Sequence, residues 1–431
     1  DEEWTGFVAD EVRARLASTP FAAAEIVPVS SRTGSGLDEL RSALARSAKG
    51  AKRTKREAPL RLPIDRAFTV RGAGTVVTGT LWSGTASVGS EVEILPHGLR
   101  ARIRGVQVHG RPVERAEAGR RVALNLHAVG VDEVRPGDFA AAPDSISVTD
   151  RFDASVSFLG AAGWSKPLES GSRMHVAHGT REVTGRVLLM NGRASLAQGE
   201  TAYAQVRLDE PLPAAWGDRF VLRSYSPMHV VGGGMVLRAH PRRTSTMPPA
   251  DEALLDALRN GSEASIAQAA FSLASLPVTP IELAQTSGLD EKTARRELKS
   301  LEAAGGAVRL EGETGTEDRW ASRAVLQRHR TAIENALLRF HAEQPSQPGI
   351  AKEALRRRCM PRATPACFDA LLADAISQGV AVVSGGEASH PRAGAGAKRL
   401  EEQATELLAS TLQEAAGAPP MLDELVAGSG L

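Results

Sequence analysis

The chain opens with apolar residues at helical spacing. Residues 1–48 predict a helix, a short strand and a second helix, from three sets of apolar positions: Trp4, Phe7, Val8, Val12 and Leu16; Ile26, Val27 and Val29; and Leu37, Leu40 and Leu44. Because one strand cannot form a sheet by itself, we expect residues 1–48 to be the C-terminal remnant of an α/β domain. We also expect Asp1 and Leu431 to be internal positions of a longer protein.

The pattern changes to short β segments after a basic linker at residues 49–58. Strands are predicted at 60–64, 75–80, 91–95, 100–108 and 122–126, and again at 174–176, 183–190, 202–208 and 220–222. Glycine and proline turns separate them, and regular short strands of this kind are typical of small barrels. We therefore predict two tandem β-barrels, at residues 59–146 and 150–243.

Helical spacing returns after residue 250. A helix at 281–289, a tight turn, a helix at 291–302 and a strand at 307–310 follow one another, which is the order of a winged helix, and the order recurs over 348–383. We predict winged helices at 250–322 and 324–391. Residues 423–431 match residues 281–289 at five of nine positions. This match predicts the start of a third winged helix at 398–431, unless it is a chance match in helical sequence. The predicted fold class is thus a multidomain protein, mainly β plus α.

Composition excludes several classes of protein. Apolar residues make up 42% and charged residues 24% of the chain, and no run approaches the ~18 apolar residues of a membrane span, so we expect no membrane partner. Cys359 and Cys367 are too few for a disulfide framework or a cysteine metal cluster. The cysteine content therefore predicts a cytoplasmic location.

The charge is unevenly distributed although the net charge is only +1. Residues 49–121 hold fifteen basic and six acidic residues. In this stretch Arg100, Arg102 and Arg104 alternate with apolar residues, so all three face one side of a strand, where they either contact RNA phosphates or form a solvated face. A second basic group, Arg356, Arg357 and Arg358, ends a predicted helix, where it either contacts RNA or complements the helix dipole.

Motifs for catalysis are missing from the sequence. It contains no Gly-x-x-x-x-Gly-Lys-[Ser/Thr] phosphate loop, no Gly-x-Ser-x-Gly turn and no histidine spacing typical of a metal site. We therefore predict no catalytic residue and no metal ligand, and recognition becomes the leading type of function.

The run from Leu62 to Thr80 resembles the opening of domain 2 in translational GTPases, and most closely that of the selenocysteine-specific elongation factors. Residues 28–37 resemble the last guanine-binding loop of these GTPases, which implies that residues 1–48 are the C-terminal remnant of a GTPase domain. Residues 118–126 resemble the end of domain 2, and residues 217–223 the end of domain 3. Winged helices after the two barrels point to the same family.

The resemblance implies roles for individual residues. Ser30 and Ser31 match the loop that contacts the guanine base. Asp65, Arg66 and Arg121 match the aminoacyl pocket, where fixed positive charge suits an ionised selenol; alternatively, both arginines pair with Asp65 as a surface network. His178 matches a domain 3 segment near the tRNA acceptor arm.

The resemblance also implies cofactors and partners. GTP and magnesium serve the full-length family, and selenocysteinyl-tRNA, an mRNA hairpin beside a UGA codon and the ribosome are the partners of a monomer. This sequence lacks the phosphate loop, the switch elements and the Asn-Lys-x-Asp motif, so we expect no cofactor and no GTP hydrolysis for this chain alone. Two other functions stay open: a winged-helix DNA-binding regulator, and a related GTPase whose helical extension binds proteins.

Overall fold

The structure is a computed structural model, and it describes residues 2–17, 21–50, 58–72, 74–160, 166–244, 246–311, 317–345, 347–392 and 404–413. Most of the predicted linker at 49–58 and the repeat at 423–431 lie outside these residues. Of the predicted third winged helix, only a helix at 404–413 is described. Across the described ranges, every helix is too short or too polar to cross a bilayer.

The predicted N-terminal helices are present as α1 (Glu2–Leu16) and α2 (Leu37–Gly50). The segment between them has no regular secondary structure at residues 24–30, so the predicted strand there is wrong. A strand needs a neighbour for its backbone hydrogen bonds, and the described residues offer none here. The apolar face of α1 is correspondingly exposed, with Trp4 and Phe7 largely open to solvent.

The first barrel, barrel 1, contains the predicted short strands. Its strands are β1 (Arg61–Val70), β2 (Gly74–Thr80), β3 (Thr85–Ser87), β4 (Glu91–Leu95), β5 (Leu99–Val108), β6 (Arg111–Val113), β7 (Arg115–Glu117), β8 (Arg121–His127) and β9 (Phe139–Ala141). The order β4-β9-β1-β2-β8-β5 closes through β4 and β5. Alternate residues such as Leu62, Ile64, Ile103 and Leu124 fill the interior, so the residues between them form the outer wall.

The second barrel, barrel 2, is a closed six-stranded barrel with an additional short ladder between β11 and β14. Its strands are β10 (Ser147–Phe158), β11 (Leu168–Glu169), β12 (Ser172–His178), β13 (Arg181–Leu189), β14 (Ser195–Leu196), β15 (Thr201–Ala214), β16 (Arg219–Ser224) and β17 (Val230–Arg238). The order around the barrel is β10-β15-β13-β12-β16-β17. Phe152, Val176, Val206 and Leu222 lie in its core.

The helical half contains the helix–turn–helix order that the sequence predicted. It comprises α3 (Pro249–Asn260), α4 (Glu263–Ser272), α5 (Pro280–Ser287), α6 (Glu291–Ala303), β18 (Val308–Leu310), β19 (Arg319–Ala321), α7 (Arg323–Glu343), β20 (Ile350–Ala351), α8 (Lys352–Cys359), α9 (Pro365–Ser377), β21 (Val382–Ser384) and β22 (Glu387–Ser389). Thr279 caps α5 in a capping box with Glu282, and Gly288 ends it in the left-handed conformation that glycine adopts without strain. Met190 and Leu237 of barrel 2 share one core with Leu254 of α3, so the barrel and the first helices pack directly together.

Candidate functional site

A β-bulge directs Asp65 toward Arg121 on the outer wall of barrel 1. Ile64 pairs with Gly79 and Arg66 pairs with Thr78, so Asp65 is an extra residue in β1. Its carboxylate accepts hydrogen bonds from Arg121 Nη1 at 2.5 Å, from Arg121 Nη2 at 2.9 Å and from Thr78 Oγ1 at 2.7 Å. The ion-pair alternative of the sequence analysis is therefore realised between Arg121 and Asp65.

Arg66 adds a second positive charge to the same place. Partial burial raises the pKa of Asp65, but hydrogen bonds from Arg121 and Thr78 and the charges of Arg121 and Arg66 outweigh it, so the pKa lies below its usual value. Asp65 is thus ionised at neutral pH. The Arg66 side chain is exposed and makes no hydrogen bond with any described residue. One carboxylate and two guanidinium groups leave this site with a net charge of about +1 at neutral pH.

Arg100, Arg102 and Arg104 share one exposed face of β5, as predicted. Each has a polar neighbour: Arg100 lies 3.1 Å from Asp144, Arg102 lies 3.6 Å from Glu91, and Arg104 lies 3.4 Å from His127. Arg102 pairs with His127 across the strands, whereas Arg121 is at the other end of β8. At ~3.3 Å per residue, the two groups of arginines are about 20 Å apart along the strand. The structure does not bring them together.

His178 lies inside the interface between the barrels. Its side chain is 1% exposed, and its Nε2 lies 3.1 Å from Oδ2 of Asp218. The ring stacks on Phe139 at 5.4 Å and meets the edge of Trp82 at 5.7 Å. This burial argues against the RNA contact that was predicted for His178, because a contact would require the barrels to separate.

Asp218 and Arg61 complete this interface. Two parallel hydrogen bonds join Arg61 to Asp218, at 2.8 and 2.6 Å, and Thr180 Oγ1 donates to the carbonyl of Ile64 at 2.8 Å. Burial raises the pKa of Asp218. Hydrogen bonds from His178 and Arg61 and the charges of these two residues lower it by more, so that the pKa is about 2. Neither Arg61 nor Asp218 is among the predicted site residues, although Asp218 lies within residues 217–223, which carry part of the resemblance.

The three arginines at the end of α8 have different environments. Arg356 is 15% exposed and binds Glu353 and the carbonyl of Ala363, which indicates a structural role rather than the predicted RNA contact. Arg358 pairs with Glu343 of α7. Arg357 also contacts Glu353, but its side chain is largely exposed. Of the three, Arg357 is the one most open to a partner.

Ser30 and Ser31 lie in a tight loop between α1 and α2. Gly34 N–H donates to Ser30 O, and Thr33 N–H donates to the Ser30 hydroxyl at 3.3 Å. Gly36 has a positive φ, and a Cβ there would overlap the carbonyl of Pro28, so the loop requires glycine. The guanine contact of Ser30 and Ser31 stays a prediction. The phosphate-binding elements of a nucleotide site are not among the described residues.

Family models match three segments of the chain. Residues 74–141 match elongation factor Tu domain 2, residues 157–243 match the β-barrel domain of selenocysteine-specific elongation factors, and residues 335–387 match a winged helix of the elongation factor SelB. These segments fall on barrel 1, on barrel 2 and on the region from α7 to β22.

Two curated relatives are also selenocysteine-specific elongation factors. The chain is 34% identical over 364 residues to the selenocysteine-specific elongation factor of Desulfomicrobium baculatum, covering 82% of this chain and 55% of the relative. It is 28% identical over 362 residues to that of Escherichia coli, covering 84% and 54%. The chain thus spans about half the length of the curated relatives it matches.

Solved structures support the fold. The crystal structure of a bacterial selenocysteine-specific elongation factor, EF-Sec, superimposes with a TM-score of 0.71 at 22% identity, covering all of this chain and 66% of that one. An elongation factor SelB from Methanococcus maripaludis, in complex with the GTP analogue GppNHp, gives a TM-score of 0.50 at 24% identity over 56% of this chain and 57% of that one. From its relatives, its barrels and its winged helices together, the chain belongs to the family of selenocysteine-specific elongation factors.

Proposed function

We propose that this chain holds selenocysteinyl-tRNA for delivery to the ribosome at UGA codons. The observation that carries the proposal is the group formed by Asp65, Arg66 and Arg121, in which one carboxylate lies among two guanidinium groups. Charge discriminates here, because a selenol is more acidic than a serine hydroxyl and is ionised where the hydroxyl is neutral. A site with excess positive charge therefore favours the selenolate.

Arg66 is the proposed direct partner of the selenolate. Arg121 is engaged by Asp65 through two hydrogen bonds, whereas the Arg66 side chain is exposed and has its donors available. Arg121 then has two roles: it adds positive charge, and it holds Asp65 in place so that the carboxylate does not pair with Arg66. The Thr78 hydroxyl supports the same arrangement.

The winged helices are proposed to position the protein for contact with the mRNA hairpin. Helix α9, at the position that usually enters a nucleic-acid groove, contains no lysine or arginine. In α6, Arg295 pairs with Glu291 and Glu317, and Arg296 pairs with Glu263 and Glu297. Lys292 and Lys299 of α6 are exposed, so α6 keeps two cations on its surface. The lack of basic residues in α9 makes that helix a poor reader of duplex DNA, which disfavours the DNA-binding alternative for the second winged helix. The proposed role of the winged helices is to position the region that contacts the hairpin.

GTP and magnesium are proposed as cofactors of the whole protein in this family, and the cytoplasm as its location. In this chain, Ser30 and Ser31 are the residues that would contact the guanine base. When bound to the whole protein, GTP would supply the switch that controls tRNA binding.

Filter binding tests the pocket directly. The 431-residue chain is titrated with selenocysteinyl-tRNA and with seryl-tRNA, as wild type, Arg66→Ala and Arg71→Ala. Arg71 is an exposed arginine at the end of the same hairpin and serves as the matched control. Removing one charge-assisted contact costs roughly 1.5–3 kcal/mol, so Arg66→Ala is expected to weaken selenocysteinyl-tRNA binding by about tenfold or more and to leave seryl-tRNA binding unchanged. Equal losses for both tRNAs, or the same loss in Arg71→Ala, would refute the assignment.

A further inference from the structure

Three arginines lie side by side on the outer wall of barrel 2. Arg151 of β10 is directly opposite Arg207 of β15, and Arg207 is directly opposite Arg186 of β13. Their neighbours Phe152, Val206 and Val187 point into the core, so the three guanidinium groups face outward. Strands lie ~4.8 Å apart, so the arginines form a closely spaced row across three strands.

A fourth arginine joins the row from the segment that leads to α3. Gln205 Nε2 donates to the carbonyl of Arg242, and Arg207 Nη2 donates to the carbonyl of Thr244 at 3.2 Å. These two bonds hold Arg243 against the barrel. Burial lowers the pKa of Arg207, and the charges of Arg243 and Arg151 lower it further. We call Arg151, Arg186, Arg207 and Arg243 the arginine cluster.

The positive charge of the arginine cluster is only partly compensated. Arg151 lies 3.2 Å from Asp150, and Asp209 is near Arg186 but is hydrogen-bonded to Arg173 and Thr184. Arg207 has neutral partners, the side-chain oxygen of Gln205 and the carbonyl of Thr244. Arg243 makes no hydrogen bond with any described residue. By contrast, Arg238 on the same barrel binds both Asp153 and Asp251.

Such a row opposes folding, because like charges directly opposite each other on neighbouring strands repel. An anionic partner removes the repulsion. Guanidinium groups fit phosphate oxygens with two parallel hydrogen bonds, and a row of them fits successive phosphates better than one isolated anion. Bases would need exposed aromatic rings for stacking, and no aromatic residue belongs to this row.

We propose that the arginine cluster binds the phosphate backbone of an RNA stem without reading its sequence. This surface is separate from the site at Asp65, Arg66 and Arg121, since it lies on the other barrel. It adjoins the segment that enters the winged helices, so RNA bound there would span the junction between the barrel and the helical half. The proposal does not depend on the identity of the aminoacyl group.

The test uses the 431-residue chain and an RNA hairpin of arbitrary sequence with about 16 base pairs. Arg186→Gln/Arg243→Gln removes two exposed charges, and Arg219→Gln removes an exposed arginine of the same barrel outside the row. Affinity is measured by fluorescence anisotropy at about 50 and about 200 mM salt. The slope of log affinity against log salt concentration should become shallower by about two when two phosphate contacts are lost. Between the two salt concentrations, the wild type should therefore lose roughly tenfold more affinity than the double variant. Arg219→Gln should behave as the wild type does.

Three results would overturn the proposal. One is an unchanged affinity and salt slope in the double variant, and another is the same change in Arg219→Gln. The third is displacement of the hairpin from the wild type by oligoglutamate at equal charge, which would indicate an acidic protein segment as the partner. Both substituted side chains are exposed, and an unchanged thermal unfolding midpoint verifies that the double variant is folded.

Discussion

Two arginine–aspartate pairs of this protein have the same chemistry and opposite surroundings. Arg61 and Asp218, between the barrels, have side chains that are 14% and 6% exposed, whereas Arg121 and Asp65, on the outer wall of barrel 1, are 54% and 26% exposed. Both pairs have two hydrogen bonds. Burial decides the difference: the inner pair cannot exchange its partner without separating the barrels, and the outer pair can respond to a ligand.

The largest expected difference is in stability. Asp218→Asn leaves the Arg61 charge buried without a counter-ion, which typically costs roughly 3 kcal/mol or more of unfolding free energy. Asp65→Asn disturbs a solvent-screened pair and should cost under about 1 kcal/mol. Denaturant unfolding of both variants measures the difference. In Arg61→Gln/Asp218→Asn the loss should be smaller than the sum of the single losses, and additive losses would show that the two residues do not act as a pair.

Acid should weaken the inner pair next. The pKa of Asp218 is about 2 in the folded chain, below its usual value of 3.8. A lowered pKa stabilises the folded state above the unfolded value, and this contribution disappears as the pH falls from about 4 to about 2. The difference is worth about 2 kcal/mol. The unfolding free energy of the wild type should fall by this amount across the range. In Asp218→Asn this contribution to the pH dependence should be missing, because asparagine does not titrate. Identical pH dependence in both proteins would contradict the assignment.

A smaller effect is expected from the glycine that lets the barrels approach. Gly179 has φ +59°, and a Cβ there would lie 2.9 Å from Cζ of Phe139 across the interface. Gly171 has φ +89° with open space around it. Both alanine variants carry backbone strain of about 1 kcal/mol, but Gly179→Ala must also displace the Phe139 ring. Its unfolding free energy should therefore fall further than that of Gly171→Ala, and equal losses would show that the contact is unimportant.

Periodicity predicted the fold well because each barrel has one buried face per strand. The strands at 91–95 and 100–108 and the helices around residues 281–302 were predicted nearly to their ends. The segment at 26–29 was predicted wrongly because strand formation depends on a neighbour, which local sequence does not contain.

The sites were less predictable than the fold. The resemblance pointed to Asp65, Arg66 and Arg121, but the bulge that turns Asp65 toward Arg121 depends on the register between β1 and β2. Likewise, Arg151, Arg186 and Arg207 are far apart in sequence, and only strand pairing makes them neighbours. The predicted RNA contact of His178 fails for the same reason, because the interface between the barrels that buries this side chain is formed by residues far apart in sequence.

Fixed positive charge on barrel 1 is proposed to distinguish an ionised selenol from a neutral hydroxyl. The most direct measurement is the ratio of Kd values for seryl- and selenocysteinyl-tRNA, determined with the wild-type chain across the titration of the selenol. We predict that the ratio is high where the selenol is ionised and falls toward one as it becomes protonated. A ratio that does not change with pH would contradict the claim.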